Sequence, residues 1–534
     1  MSTKYISHPL IKPRSVEARL YQQLVYTRAI RGNTLFVAPT ALGKTVLCIM
    51  VAAHRLKTIG GKVMMLAPTR PLVLQHCRSF RKFMAIPPEE IRDFSGTTDP
   101  ETRRELWPVT TIAVATPQVV ENDVRSGNLD LKDYCLMVFD EAHRAVGNYS
   151  YVPIAKAYVD SCPDPLILGL TASPGNDEET VREVCENLFI TNIEVKSDDD
   201  PDVRPYVNPV EVDWRLVALP DSLRKASSMI REYLEKRIAS LREIGLIDSG
   251  YPTRKDLLKA GKVLGLGAER FSAAFKRPKY LYYRALMDYA MALKAEHAIE
   301  ILETQGPRQT LSYMKRMMQD AQVRGAPRST KSFVKNESIS AFTEYLERLV
   351  YAGADHPKMS MVEKIVLEEI RKNPESRIIV FTNFRDTVDL IVERLSRYPL
   401  LRVTRFVGQS SRRSAGLTQR EQSRILDLFR SGRFNVLVAT SVAEEGLDIA
   451  EVQMVLFYDC TPSAIRNIQR RGRTGRKGAG RVVILITENT REEAYHWAGQ
   501  SREKKMRQLL RRIDESLKKR QLSLDSFYAA RTSS

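Results

Sequence analysis

From Thr34 onward the chain alternates short apolar runs with longer amphipathic stretches: TLFVA, then TVLCIMVAAHRL at helical spacing, VMMLA, PLVLQHCRSFRKF, TIAVAT, LMVFD and LILGLT. Continuous apolar runs between amphipathic segments predict parallel strands buried on both faces beneath helices. The rhythm breaks at the acidic, proline-containing stretch SDDDPDVRP (Ser197 to Pro205). It returns at RIIVFT (Arg377 to Thr382) and continues through RVTRFVG, FNVLVAT, MVLFYD and RVVILIT. Between about Asp221 and Val350, apolar residues fall three and four apart in SLRKASSMIREYLEKRIASL, RALMDYAMALKAEHAIEILET and ISAFTEYLERLVYA, which predicts a helical insertion. After Thr487 a long charged helix, REEAYHWAGQSREKKMRQLLRRIDESLKKR, precedes a short tail. The expected fold class is therefore α/β, two parallel-sheet domains with a helical insertion between them. The expected boundaries are 1–200, 205–355, 356–490, 491–520 for the basic helix and 521–528 for a tail peptide.

Composition sharpens this picture chiefly through charge. Lys and Arg number 83 against 64 Asp and Glu, a net charge of +19, and such a surplus draws a polyanion by counterion release. The milder reading is a surface charged for solubility. From Arg224 to Val350 there are 24 basic and 14 acidic residues, about +10, which marks the insertion as either a solvated helical face or a nucleic-acid contact domain. The six cysteines (Cys48, Cys77, Cys135, Cys162, Cys185, Cys460) form no CxxC pair and are expected to be buried thiols rather than disulfides or zinc ligands. No run reaches the roughly 18 apolar residues of a membrane span. The N-terminus MSTKYISHPLIKPRS lacks the apolar block of a secretory signal, so a cytoplasmic protein with no membrane partner is expected.

The segment APTALGKT (Ala38, Pro39, Thr40, Ala41, Leu42, Gly43, Lys44, Thr45) lies between an apolar strand and a helix, where a phosphate loop must sit. Lys44 is placed to reach the β- and γ-phosphates of ATP and the Thr45 hydroxyl to hold Mg²⁺. Ala38 stands where the GxxxxGK[ST] pattern has glycine. In LMVFDEAH, Asp140 and Glu141 end a strand, the edge at which doubly wound sheets bind ligands. Asp140 fits a direct or second-sphere Mg²⁺ role, and Glu141 is placed to polarise the attacking water. His143 suits either a link to the other domain or simple packing.

Taken together with LGLTASPG and the APTRPL that begins at Ala67, these segments resemble motifs I, II, III and Ia of superfamily 2 helicases, which implies a pair of RecA-like domains. The resemblance implies that Arg19 and Gln22 of ARLYQQ recognise adenine, and that Thr69, Arg70, Thr116 and Pro117 contact the backbone of a tracked strand without reading sequence. QRRGRTGR taken alone is a basic patch suited to RNA, but after a strand and helix it resembles motif VI. That likeness makes Arg473 and Arg476 finger arginines for the γ-phosphate and sets Gln469 against the water or phosphate. ATSVAEEGLDIAEV resembles motif V, with Thr440 and Ser441 on strand phosphate and Gly446 and Asp448 facing the nucleotide. IVFTNFRDT, with Thr382, resembles motif IV, another backbone contact.

Within superfamily 2 the combination of DEAHRAVGNYSY, LGLTASPG, a helical insertion and SVAEEGLDI is similar to the archaeal Hef helicase domain and its FANCM and Mph1 relatives. The resemblance implies an ATP-dependent DNA helicase or translocase on forked or branched DNA in replication-fork repair, associated with the nucleoid, its insertion a thumb-like grip on duplex. No ERK nuclease signature follows Arg476, so a stand-alone helicase or a helicase fragment is expected. QLSLDSFY sets Gln521, Leu524, Phe527 and Tyr528 at a spacing that resembles the peptide motif docking on the PCNA-type sliding clamp; the plainer reading is a frayed helix end with incidental aromatics. Two alternatives stand beside this reading: an RNA-dependent ATPase of the RIG-I and Dicer type, and a scaffold that binds forks without hydrolysis.

Overall fold

The computed structural model describes all residues except 1–3, 40–41, 176, 198–199, 207–209, 249–253, 277, 409–416, 441–451, 460–479, 494–507, 511 and 517–534. The first sheet comprises β1 (Thr34–Val37), β2 (Lys62–Leu66), β3 (Ile91–Phe94), β4 (Ile112–Ala115), β5 (Tyr134–Asp140), β6 (Ile167–Thr171) and β7 (Asn192–Val195). They lie in the order β3-β4-β2-β5-β6-β1-β7, with every pairing parallel. Successive residues of one strand feed opposite faces, as a two-residue period demands. Met65, Leu136 and Val138 join one core, while Met64, Met137 and Phe139 join the other. β5 is buried along its whole length, which is why its sequence YCLMVFD is apolar up to the terminal carboxylate.

The second sheet holds β8 (Val210–Val217), β9 (Ile378–Phe381), β10 (Val403–Phe406), β11 (Val436–Ala439), β12 (Met454–Phe457) and β13 (Gly480–Thr487), in the order β10-β11-β9-β12-β13-β8. Residues 210–217 were expected within the helical insertion; instead they pair with the whole of β13. The sequence VEVDWRLV alternates apolar and polar residues, as suits an edge strand with one face covered, and Asp213 clamps Arg481 of its neighbour at 2.9 Å. The helical bundle begins at Asp221 and runs to Tyr351, its core built where the helices Asp221–Ile244 and Lys279–Thr304 meet through Leu223, Ile230, Leu241, Ala292 and Ile299.

Bundle and second domain are joined by buried polar groups. Gln305, just past the helix Lys279–Thr304, donates through Nε2 to Asp459 at 2.9 Å and accepts from the Thr387 hydroxyl at 2.7 Å. Asp459 is buried at the end of β12, and burial pushes its carboxyl above the usual value although Asn383 and Thr382 donate to it. Beside it Lys358 and Glu492, both buried, meet at 2.5 Å, and Arg491 pairs with the buried Glu296 of the bundle. His356 donates through Nε2 to the Glu303 carbonyl at 2.9 Å and accepts from the Lys358 amide, so its ring carries one proton. Burial, followed by the Lys358 cation, pushes its pKa down to about 3.

Two connections return to the first domain. The acidic linker packs onto it at two described points: Val203 is buried in its core, and Lys196 pairs with Asp202 at 2.5 Å. In the expected basic helix, residues 508–510 and 512–516 are helical, and Leu510 and Ile513 are buried in the first domain's core. Asp514 accepts from the Ile193 amide at 3.0 Å, so this segment covers the open edge at β7. The described cysteines are buried and unbridged, and Cys460 lies outside the described residues. Among the described residues no helix is long and apolar enough to cross a membrane.

Candidate functional site

At the C-terminal edge of the first sheet, chemistry gathers because β1, β5 and β6 are neighbours or near neighbours there. The loop after β1 leads to Gly43, whose left-handed φ of 67° opens the helix Lys44–Thr58 without a side-chain cap. A side chain at 43 would be strained by that φ, and its Cβ, 2.2 Å from Gln22 Nε2, would force the buried glutamine to shift. The uncapped helix start leaves backbone N–H groups and partial positive charge facing the loop, an anion seat. Lys44 Nζ donates to the Ala38 carbonyl at 2.8 Å, spanning the loop, and Ala38 N donates to Thr171 O at 3.0 Å. Leu42 N meets Pro39 O at 3.4 Å, and Thr45 is half-buried on the first turn. Thr40 and Ala41 lie outside the described residues.

Asp140 is buried at the end of β5, and its carboxylate accepts from His76 Nε2 at 2.8 Å. Burial alone would raise its pKa; the His76 ring, the hydrogen bond it gives and the Lys44 ammonium outweigh burial and hold the carboxyl below the ordinary range. Tyr151 fixes the strand end by donating to the Asp140 carbonyl at 2.6 Å. Glu141 follows in the left-handed region at φ 50°, a rare conformation for a residue with a side chain. That turn re-aims its carboxylate out of the strand direction, to 3.4 Å from His143 Nδ1. His143 also meets the Thr171 hydroxyl of β6 at 3.2 Å, and Thr171 in turn contacts Ser173. The link His143 makes is thus to the strand end that carries TAS.

At the base-binding end, Gln22 is buried with Nε2 on the Leu42 carbonyl and the Tyr21 hydroxyl, each at 3.3 Å. Its Oε1 has no hydrogen-bond partner among the described residues. A buried amide oxygen left unpaired is costly and points to an absent donor. Arg19 pairs with Glu17 at 3.0 Å and lies 5.7 Å over the ring of Tyr206, whose hydroxyl accepts from Leu20 N at 3.3 Å. The end of the linker therefore delivers an aromatic ring against Arg19 and Tyr21, the neighbour of Gln22.

The strand-contact candidates divide. Thr69 Oγ1 and Arg70 Nε, opening the helix Arg70–Phe83, are buried without hydrogen-bond partners among the described residues, and Thr116 opens the helix Pro117–Arg125 without a side-chain cap. Pro117 fills the first helical position, where a missing N–H costs nothing. Thr382, by contrast, is buried and its hydroxyl donates to Asp459 at 2.8 Å, so its side chain serves the joint with the bundle rather than an open strand path. Thr440 is buried at the end of β11. Ser441, Gly446, Asp448, Gln469, Arg473, Arg476, Gln521, Leu524, Phe527 and Tyr528 lie outside the described residues.

The pattern along the chain missed His76, Tyr151, Tyr206 and Asp459. A lone histidine or tyrosine with no motif around it carries no local sign that the fold will bring it to a strand end. Both histidine and tyrosine here sit on inward helix faces; that periodicity was the only available signal.

Comparison with known proteins bears on these observations. Residues 19–181 match the DEAD/DEAH box helicase model, 222–353 a model described as the helical bundle of an ATP-dependent RNA helicase, and 357–478 the helicase conserved C-terminal domain. The chain is 38% identical over 517 residues to MJ1505 of Methanocaldococcus jannaschii, named for an ATP-dependent RNA helicase, covering 97% of this chain and 64% of that protein. It is 31% identical to the Fanconi anemia group M protein homolog of Mus musculus, over 91% of this chain and 25% of that protein. The chain thus spans less than two thirds of the length of these relatives. Among solved structures it is similar to the Pyrococcus furiosus Hef helicase domain, at 45% identity and a TM-score of 0.68, covering 90% of this chain and 98% of that one.

Proposed function

Since this chain belongs to the superfamily 2 DEAD/DEAH box helicases, in the branch of Hef, FANCM and Mph1, and is by that membership a helicase ATPase, we propose that it couples ATP hydrolysis to movement on forked or branched DNA in DNA repair. One observation carries the reading: at one sheet edge an uncapped helix start, Lys44, a buried and charged Asp140, and a Gln22 amide oxygen with no partner among the described residues gather at the phosphate loop. Thr45 and Asp140 fit Mg²⁺, a hard cation served by one or two oxygen ligands plus phosphates, and when bound it neutralises phosphate charge.

The chain's own residues do the rest. Backbone N–H groups at Gly43 and beyond seat the β-phosphate, and Lys44 leaves the Ala38 carbonyl for the β- and γ-oxygens. Gln22 Oε1 accepts from the adenine amino group, which satisfies its missing bond. Glu141 orients the attacking water, and Arg473 and Arg476, with Gln469, answer the charge that develops on the γ-phosphate when the domains close. Thr69, Arg70 and Thr116 hold strand phosphates, so no base is read along the track.

Forked DNA fits the relatives named as DNA helicases, whereas the RNA-helicase names of MJ1505 and of the bundle model favour an RNA-dependent ATPase. Phosphate release measured with forked, duplex and single-stranded DNA and with RNA decides between them. Forked DNA is expected to stimulate most. Equal stimulation by RNA would move the assignment to RNA, and no release with any of them would leave a scaffold. We further propose that the tail from Gln521 to Tyr528 docks on a PCNA-type clamp. Phe527→Ala with Tyr528→Ala is expected to abolish capture by immobilised clamp, and undiminished capture removes that partner.

A further inference from the structure

The bundle's positive charge is concentrated at one end. Residues 254–286 hold nine Lys and Arg against two Asp and Glu, most of the surplus between Arg224 and Val350. That segment forms the helices Arg254–Leu264 and Ala268–Phe275 and the start of Lys279–Thr304, with Lys276 in the left-handed region at φ 48° near the reversal. The long helix then presents Tyr280 at 67% exposure, Tyr283 at 60% and Leu286 at 40%, successive residues three apart and hence on one face.

Tyr282 explains why that face points outward. Its ring packs 5.5 Å from that of Phe271, which stacks on Phe275, and its hydroxyl donates to the Leu264 carbonyl at 3.1 Å. With Tyr282 fixed inward, the rotation of the helix is set, and Tyr283, edge to face with it at 5.3 Å, is held in the open. Large rings displayed to water are costly on an ordinary helix surface. Around them Lys279 pairs with Glu269, Arg284 lies 3.5 Å from Glu243 and Lys259 3.8 Å from Asp256, exposed pairs that yield readily to a stronger anion.

We propose that Tyr280 and Tyr283 form a stacking platform for unpaired bases at a DNA branch, with the surrounding cations on the adjoining phosphates. Aromatic faces set in a basic surface recognise single strands, since an intact duplex hides its base faces except where it opens. The inference rests on the proposed reading of the bundle as a nucleic-acid grip.

The test uses the full chain and a fluorescent oligo-dT, with a fork carrying 2-aminopurine at the branch as a second probe. Tyr280→Ala with Tyr283→Ala is expected to weaken binding about tenfold or more while leaving the salt slope unchanged. Tyr280→Phe with Tyr283→Phe is expected to bind as the parent does. Neutralising Lys255, Lys259 and Lys262 is expected to flatten the slope instead. Unchanged affinity in the alanine variant, with weakened binding in the lysine variant, overturns the platform and spares the grip; unchanged binding in both overturns the two together. A flattened slope in the alanine variant, or equal loss with phenylalanine, also overturns stacking. If the alanine variant abolishes a dimer in light scattering and keeps oligonucleotide affinity, the face joins two copies of this chain.

Discussion

Lys44→Ala is expected to remove ATP hydrolysis, by a factor of about 10²–10³ or more, while binding to forked DNA at low salt persists. The ammonium lies over the phosphate loop at 2.8 Å from the Ala38 carbonyl and contributes to holding Asp140 charged. Its loss therefore removes a cation from the phosphates and loosens the hold on the carboxylate beside them. The groups proposed to hold the strand, Thr69, Arg70 and Thr116, and the basic end of the bundle do not depend on it. Phosphate release and fluorescence anisotropy on the same preparation check the two halves. Unchanged hydrolysis would show that the loop after β1 is not the nucleotide seat.

Glu492→Ala is expected to destabilise the second domain by about 3–5 kcal/mol, because it leaves a buried ammonium without its counter-charge. Lys358 and Glu492 are 0% and 1% exposed, and the same carboxylate accepts from the Thr487 amide at 2.8 Å, so the pair is shielded from bulk solvent. Lys358→Met with Glu492→Leu is expected to recover much of the loss but not all, since the Thr487 N–H stays unpaired. Chemical denaturation followed by a probe in the second domain measures both. A loss below about 1 kcal/mol would mean that the pair is wet, as surface pairs are.

The fold was legible wherever an element is buried on both faces. TLFVA, VMMLA, TIAVAT, LMVFD and LILGLT announce central strands because nothing polar can face the helices that cover them. β3 and β7, with sequences IRDF and NIEV, went unseen because edge strands tolerate polar residues, and four residues are too few for a period to show. β8 was hidden for a related reason: its neighbour β13 lies more than 250 residues downstream, and pairing at that range leaves no local trace. In the site, residues carried by compact motifs, Gly43, Lys44, Asp140 and Glu141, could be placed from the chain alone. Gln305 and Asp459 could not, because their meaning lies in each other, across 154 positions of sequence. Thr382 shows the opposite failure, a motif position whose hydroxyl the fold spends on an interior partner.

The hydrogen bonds at Gln305, with Arg491 on Glu296 further along, make the helix Lys279–Thr304 a boom fixed to the second domain at its root. Its 26 residues span about 39 Å at about 1.5 Å per residue. With the root gripped by Asp459 and Thr387, a swing of about 10° at the cleft carries the far end through about 7 Å, roughly two nucleotide steps of a strand. If the domains close on ATP as proposed, small angular work at the phosphates would be geared into travel at the tip where Tyr280 stands.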